Sequence, residues 1–205
     1  MPLVGKFPDH LIDLIKTSKY VHVATASKEG IPSVSLMNYI YVPSSDTYAE
    51  SDKSDDYIVF ATLDNTEKYE NILVNPTVSL LFHDWVTAKN LSLRKHSLSE
   101  TPATDPSQAT TTGVPQSSKL LNLLQELNQA ELFQMSATIR GHGTIINPTS
   151  EESKHYKDLL LRANPDAHCF ILSDKTVIVK VKIESAKVTD NENNTSIYKW
   201  VFNLL

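Results

Sequence analysis

Two apolar rhythms run along the chain, a period of two that marks strands and a period near 3.6 that marks helices. The clearest passage is residues 57–85. Residues 57–62 (YIVFAT) form a short apolar, β-branched run that predicts a strand, opening into the polar turn Leu63-Asp64-Asn65. Residues 66–75 then carry helical spacing, with Tyr69, Ile72 and Leu73 at i, i+3 and i+4. Asn75-Pro76 stops that helix, because the residue before a proline is pushed out of the α region. Residues 77–82 predict a second apolar strand, closed by Asp84-Trp85.

The same rhythms extend in both directions. Pro8 and Asp9 start a helix running to Thr17, with Leu11, Leu14 and Ile15 on one face. A strand over 20–26, a Ser27-Lys28-Glu29-Gly30 turn and a return strand over 31–42 make a hairpin. Residues 43–56 are polar and acidic, a long loop without the fixed spacing and central glycine of a calcium loop. After residue 91 the chain changes character. Residues 92–118 are rich in Ser, Thr and Pro and predict a disordered insertion, since they offer too little apolar surface to offset chain ordering. A leucine-striped helix is expected over 119–132.

The second half returns to strands. Residues 134–146 alternate, with Met135, Ala137 and Ile139 on one side and Ser136, Thr138 and Arg140 on the other. Gly141 and Gly143 mark a bulge or a close backbone approach. Thr149 and Glu152 form a capping box for a helix over 150–163, with Tyr156, Leu159 and Leu160 inward. Strands are expected at 169–172, 176–183 with an extension over 186–189, and 198–202, with Lys180 and Lys182 as solvated edge residues.

Composition narrows the class. The 205 residues are 40% hydrophobic, and the net charge is −5, with a pI of about 5.8. That balance argues against a general nucleic-acid-binding surface. No apolar run approaches the roughly 20 residues of a membrane span. The single cysteine, Cys169, excludes an intrachain disulfide and a multi-cysteine zinc site and suits a reducing, cytoplasmic or nuclear setting. The seven histidines show no metal-ligand spacing, and no nucleophile elbow or phosphate-binding glycine loop is present.

A strand that delivers a polar turn into a helix N-terminus makes an anion site. The first backbone N–H groups have no partner within the helix, and its dipole adds positive potential. Thr62, Asn65, Thr66 and Lys68 surround that terminus with two hydroxyls, an amide and an ammonium. Phosphate is the ligand this set points to. The same residues also fit a plain helix start, capped by Asn65 or Thr66, with Lys68 in solvent.

The strings Phe60-Ala61-Thr62, Thr66-Glu67-Lys68, Asn75-Pro76 and Val78-Ser79-Leu80-Leu81-Phe82 with Trp85 resemble the flavin-binding core of the pyridoxamine 5'-phosphate oxidase family. Ala24-Thr25-Ala26 and Gly30-Ile31-Pro32-Ser33-Val34 are similar to that family's opening hairpin. The resemblance implies a mainly β fold with flanking helices (α+β), the FMN-binding split β-barrel, as one domain over 1–205. It implies an FMN-dependent oxidoreductase with FMN at the interface of a homodimer. Thr62, Asn65, Thr66 and Lys68 would hold the phosphate and Asn38 would touch the flavin. Ser136, five residues before Gly141, and Arg140 would reach it from the partner subunit.

Three departures qualify the chemistry. Glu67 stands where the family usually has an arginine, residues 35–38 lack another, and Trp200 is followed by neither the family's glycines nor its substrate-binding arginine. Oxidation of pyridoxamine 5'-phosphate is therefore expected to be weak or absent. A non-catalytic split barrel for flavin, haem or another planar ligand, or a scaffold with no cofactor, is the alternative expectation.

Overall fold

The computed structural model describes residues 3–4, 7–83, 135–190 and 192–200. Nine strands form one sheet: β1 (Leu3–Val4), β2 (Val21–Ala26), β3 (Pro32–Met37), β4 (Ile40–Val42), β5 (Tyr57–Leu63), β6 (Thr77–His83), β7 (Ser136–Ile146), β8 (Thr176–Thr189) and β9 (Thr195–Trp200). Among the described residues four α-helices accompany them: α1 (Asp9–Thr17), α2 (Glu67–Val74), α3 (Glu151–Ala163) and the one-turn α4 (His168–Ile171). These elements belong to one unit built from Met1–His83 and Met135–Leu205. The expected 92–118 insertion and 119–132 helix lie outside the described residues.

The sheet runs β1-β9-β8-β7-β6-β2-β3, with β5 joined to β8 and β4 joined to β5. Only β1 with β9 is parallel. β8 organises it. One edge of β8 follows β7 throughout, while the other pairs with β5 up to Lys182 and with β9 from Ser185. The exchange of neighbours coincides with a bulge: Arg140 pairs with Ser185 but Gly141 with Ile183, so Glu184 is the extra residue. Gly141 is required there, since a Cβ would lie 2.4 Å from the Lys182 carbonyl oxygen. The outcome is the expected curled antiparallel half-barrel with flanking helices.

Apolar periodicity now has its physical cause. Ile58, Phe60, Val179, Val181 and Ile183 point into the half-barrel, where they meet Leu80, Phe82, Ile139 and the Leu11, Leu14, Ile15 face of α1. Tyr57, Val59 and Ile178 point the other way and are covered by Tyr156 and Leu160 of α3 and Ile171 of α4. β5 is therefore buried on both faces, and so its sequence is continuously apolar rather than alternating.

Four local expectations are corrected. Residues 31–42 are two strands, β3 paired with β2 and β4 paired with β5. The chain switches partner at Asn38-Tyr39, where the buried Tyr39 hydroxyl sits between the carbonyls of Ile15 and Ser18 at the end of α1. Residues 169–172 are not a strand; they fall in and just after α4. α3 is capped by Ser150, whose Oγ accepts from the Ser153 N–H, one residue later than the capping box predicts. Leu73 is 59% exposed. α2 is instead held by Ile72 and by Asn71, whose Nδ2 donates to the buried Thr25 hydroxyl at 3.0 Å.

Lys180 is not a solvated edge residue either. Its ammonium lies 2.5 Å from Asp52 and 2.6 Å from Glu152, with the side chain 9% exposed. Burial alone would lower its pKa, but the hydrogen bonds that the ammonium donates to the two carboxylates outweigh this and raise it. Lys182 pairs with buried Asp55 at 2.9 Å, and Asp56 accepts from the Tyr41 hydroxyl and the Ser44 N–H. The acidic 43–56 loop is thereby clamped to the barrel.

Candidate functional site

β5 ends at Leu63, and a three-residue turn leads into α2. The turn is fixed from below, because the Asp64 N–H donates to the Lys175 carbonyl at 2.9 Å just before β8 begins. This junction carries a directed chain of hydrogen bonds. Thr66 Oγ1 donates to the Leu63 carbonyl at 2.9 Å. Its only proton is used, so the 3.0 Å contact between the two threonine hydroxyls must be donated by Thr62. Lys68 Nζ in turn donates to Thr62 Oγ1 at 3.3 Å.

Two properties follow. Thr66 occupies the cap position of α2 but makes no side-chain cap bond, because its hydroxyl is turned to Leu63. The leading amides of α2 are thus left for another acceptor. Lys68 uses one of its three N–H donors on a long bond and meets no carboxylate within ion-pair distance among the described residues. Burial lowers its pKa below the usual lysine range. An ammonium that is partly desolvated without a counter-ion favours an arriving anion.

Glu67 does not obstruct this corner. The Ser33 hydroxyl on β3 donates to Glu67 Oε2 at 3.0 Å, so that carboxylate is turned to the opening hairpin.

The corner is one end of a cavity of about 330 Å³, towards the small end of the roughly 300–1,000 Å³ typical of ligand sites. Thr62, Thr66, Lys68 and Asn38 provide its polar groups. Asn38 arrives from the switch between β3 and β4. Leu36 and Met37 of β3 form an apolar side; α3 adds Leu160, the turn before α4 adds Ala167, and α4 adds Phe170 and Ile171.

The structure thus brings together four of the seven residues singled out from sequence. Asn65 is exposed in the turn and does not line the cavity. Ser136 and Arg140 lie on β7, also outside the lining; Arg140 is exposed, opposite Ser79 of β6 and Ser185 of β8. The α3–α4 wall was missed by the sequence reading. Its signal was present, since Ala167, Phe170 and Ile171 sit at i, i+3 and i+4. No grouping of three or more metal-ligating side chains occurs among the described residues, and no described helix is long and apolar enough to cross a membrane.

Comparison with known proteins agrees with this architecture. A family profile described as pyridoxamine 5'-phosphate oxidase matches residues 7–102. A pyridoxamine 5'-phosphate oxidase homolog of Saccharomyces cerevisiae is 55% identical over 199 residues, covering 95% of this chain and 96% of that protein. Among solved structures, ChuZ of Campylobacter jejuni superposes with a TM-score of 0.56 at 11% identity, covering 93% of this chain and 58% of that one. HutZ, described as the haem storage protein of Vibrio cholerae, gives 0.52 at 11% identity, over 87% of this chain and 91% of that one. The chain belongs to the pyridoxamine 5'-phosphate oxidase-like family, and its fold is the split barrel of those structures.

Proposed function

We propose that the protein binds FMN at the interface of a homodimer and serves as an FMN-dependent oxidoreductase. The observation that carries this reading is the junction of β5 and α2, where an ammonium with no carboxylate partner among the described residues, two hydroxyls and uncapped helix amides share one end of an apolar cavity. Lys68, Thr62 and Thr66 would hold the phosphate, with Asn65 at the rim of the turn. Asn38, Leu36 and Met37 would border the flavin. When bound, the flavin supplies the electron-transfer chemistry, and the protein supplies binding, orientation and exclusion of water.

The dimer is supported by an exposed apolar strip. Leu36, His22 and Leu81 are cross-strand neighbours on β3, β2 and β6, with Leu36 56% and Leu81 39% exposed, and Val34 beside them is 66% exposed. Exposed apolar side chains grouped on one sheet face, here to either side of the half-buried His22, mark an interaction site. In the dimer, Ser136 and Arg140 of one copy would approach the flavin of the other. The lone cysteine suits work in the cytoplasm or nucleus.

A second reading, a non-catalytic module for haem or another planar ligand, draws on the haem-related description of HutZ. Against haem, no histidine or cysteine among the described residues lines the cavity. The visible spectrum of the purified protein tests the choice. Flavin bands, or quenching of flavin fluorescence on titration with micromolar FMN, support the proposal. A Soret band would favour haem, and a colourless protein that does not quench FMN would overturn the flavin assignment. Light scattering should give a mass of twice the chain. Turnover of pyridoxamine 5'-phosphate should be weak or absent even in the FMN-loaded protein.

A further inference from the structure

We infer that Phe170 is the aromatic platform against which the ligand's planar ring stacks. The inference rests on the FMN reading proposed above and adds the side chain that takes the face of the ring.

Phe170 is 69% exposed, the highest exposure among the large apolar side chains of the described residues. Its backbone is held in place nonetheless. The fully buried Thr176 donates its hydroxyl to the Phe170 carbonyl at 2.7 Å, and Ala167 and Ile171 on the same helical face are 8% and 3% exposed. α4 is therefore seated on the barrel while its phenylalanine ring is left bare. The ring's exposure is not that of an unanchored loop.

The anchor also sets where the ring stands relative to the corner. Thr176 is in register with Leu63 of β5, and the Asp64 N–H binds the carbonyl of Lys175 next to it. Two adjacent residues at the start of β8 thus hold both parts, the Thr176 hydroxyl the Phe170 backbone and the Lys175 carbonyl the turn into α2. Both Phe170 and Lys68 line the same cavity, one supplying a π-face and the other the positive charge. A phosphate on an aliphatic stem would engage the charge and leave the ring wet. A flat π-rich ring joined to a phosphate uses both.

The test is flavin titration of the full chain, followed by fluorescence quenching, with FMN and with riboflavin, which has the ring without the phosphate. Phe170→Ala should weaken both ligands about ten-fold, the scale of losing one ring-on-aromatic stack. Phe170→Trp should bind both at least as well as the native chain, whereas Phe170→Leu should resemble the alanine variant. Ribose 5-phosphate, competing against FMN, should keep its inhibition constant in the Phe170 variants. Because the side chain is exposed, thermal melting of all variants should match the native chain. If the native chain binds FMN and Phe170→Ala or Phe170→Leu binds both flavins equally well, the platform is overturned and the anion corner stands. If the native chain binds no flavin, the anion-corner reading falls, and the platform with it.

Discussion

Replacing Lys68 by Met removes the ammonium while keeping most of the apolar stem that lines the cavity. Among the described residues, two of the three N–H donors of Lys68 meet no protein acceptor, and the third makes only a 3.3 Å bond to Thr62. A phosphate can take those donors without first breaking a strong contact. A charge-assisted hydrogen bond contributes about 1.5–3 kcal/mol, which corresponds to a loss of roughly 10- to 150-fold in FMN affinity. Thr62 differs: its proton already serves Thr66 at 3.0 Å, so binding exchanges one bond for another, and Thr62→Ala should cost about 1 kcal/mol. Riboflavin is the internal control, and its affinity should change by less than about two-fold in Lys68→Met, since it presents no anion. The assay is quenching of flavin fluorescence at low and high salt, because the FMN advantage over riboflavin should shrink as salt screens the pair. Equal losses for the two flavins, or none for FMN, would refute the assignment of the phosphate to this corner.

Other expectations follow from the same contacts. Burial lowers the Lys68 pKa, and a bound phosphate favours the charged form. FMN affinity relative to riboflavin should therefore fall as pH rises, beginning below the usual lysine range; a fall shared by both flavins belongs to the ring. Lys180→Met leaves Asp52 and Glu152 facing one another at a site where their side chains are 18% and 21% exposed. Removing one partner of a buried ion pair costs about 3–5 kcal/mol, and the residual exposure reduces this to about 2–4 kcal/mol in urea unfolding. Adding Asp52→Asn and Glu152→Gln should recover most of the loss; no recovery would contradict the ion-pair account. Gly141→Ala places a Cβ against the Lys182 carbonyl oxygen at 2.4 Å and should destabilise by about 1–3 kcal/mol. Gly143→Ala meets only the 3.4 Å and longer contacts of Ile72, Pro76 and Val179 and should be near neutral by the same measurement.

What was legible in the sequence was whatever depends on neighbours in the chain. Thr62, Thr66 and Lys68 lie within one strand–turn–helix passage, so their convergence followed from local geometry alone. The bulge at Gly141 was announced by a glycine inside an alternating strand. Lys180 was not legible, because its meaning depends on Asp52 and Glu152, which are distant in sequence and reach it only after β5 and β8 pair. The break at Asn38 was hidden for the same reason, since a single asparagine in a mostly apolar run does not announce a change of partner strand and Tyr39 is held in place by the end of α1. Leu73 followed the helical period correctly, but α2 is short and its orientation is set by the Asn71–Thr25 bond. At 169–172, four consecutive apolar residues suggested a strand, although Ala167, Phe170 and Ile171 carried the helical spacing that forms the cavity wall.

The most direct test of the central claim is a crystal structure of the protein soaked with FMN. The account predicts phosphate density within hydrogen-bonding distance of Lys68 Nζ and the leading amides of α2, with Glu67 still turned to Ser33 and a second copy closing the flavin. Phosphate bound elsewhere, or the corner filled by protein side chains in a chain that crystallises and dissolves as a monomer, would contradict it.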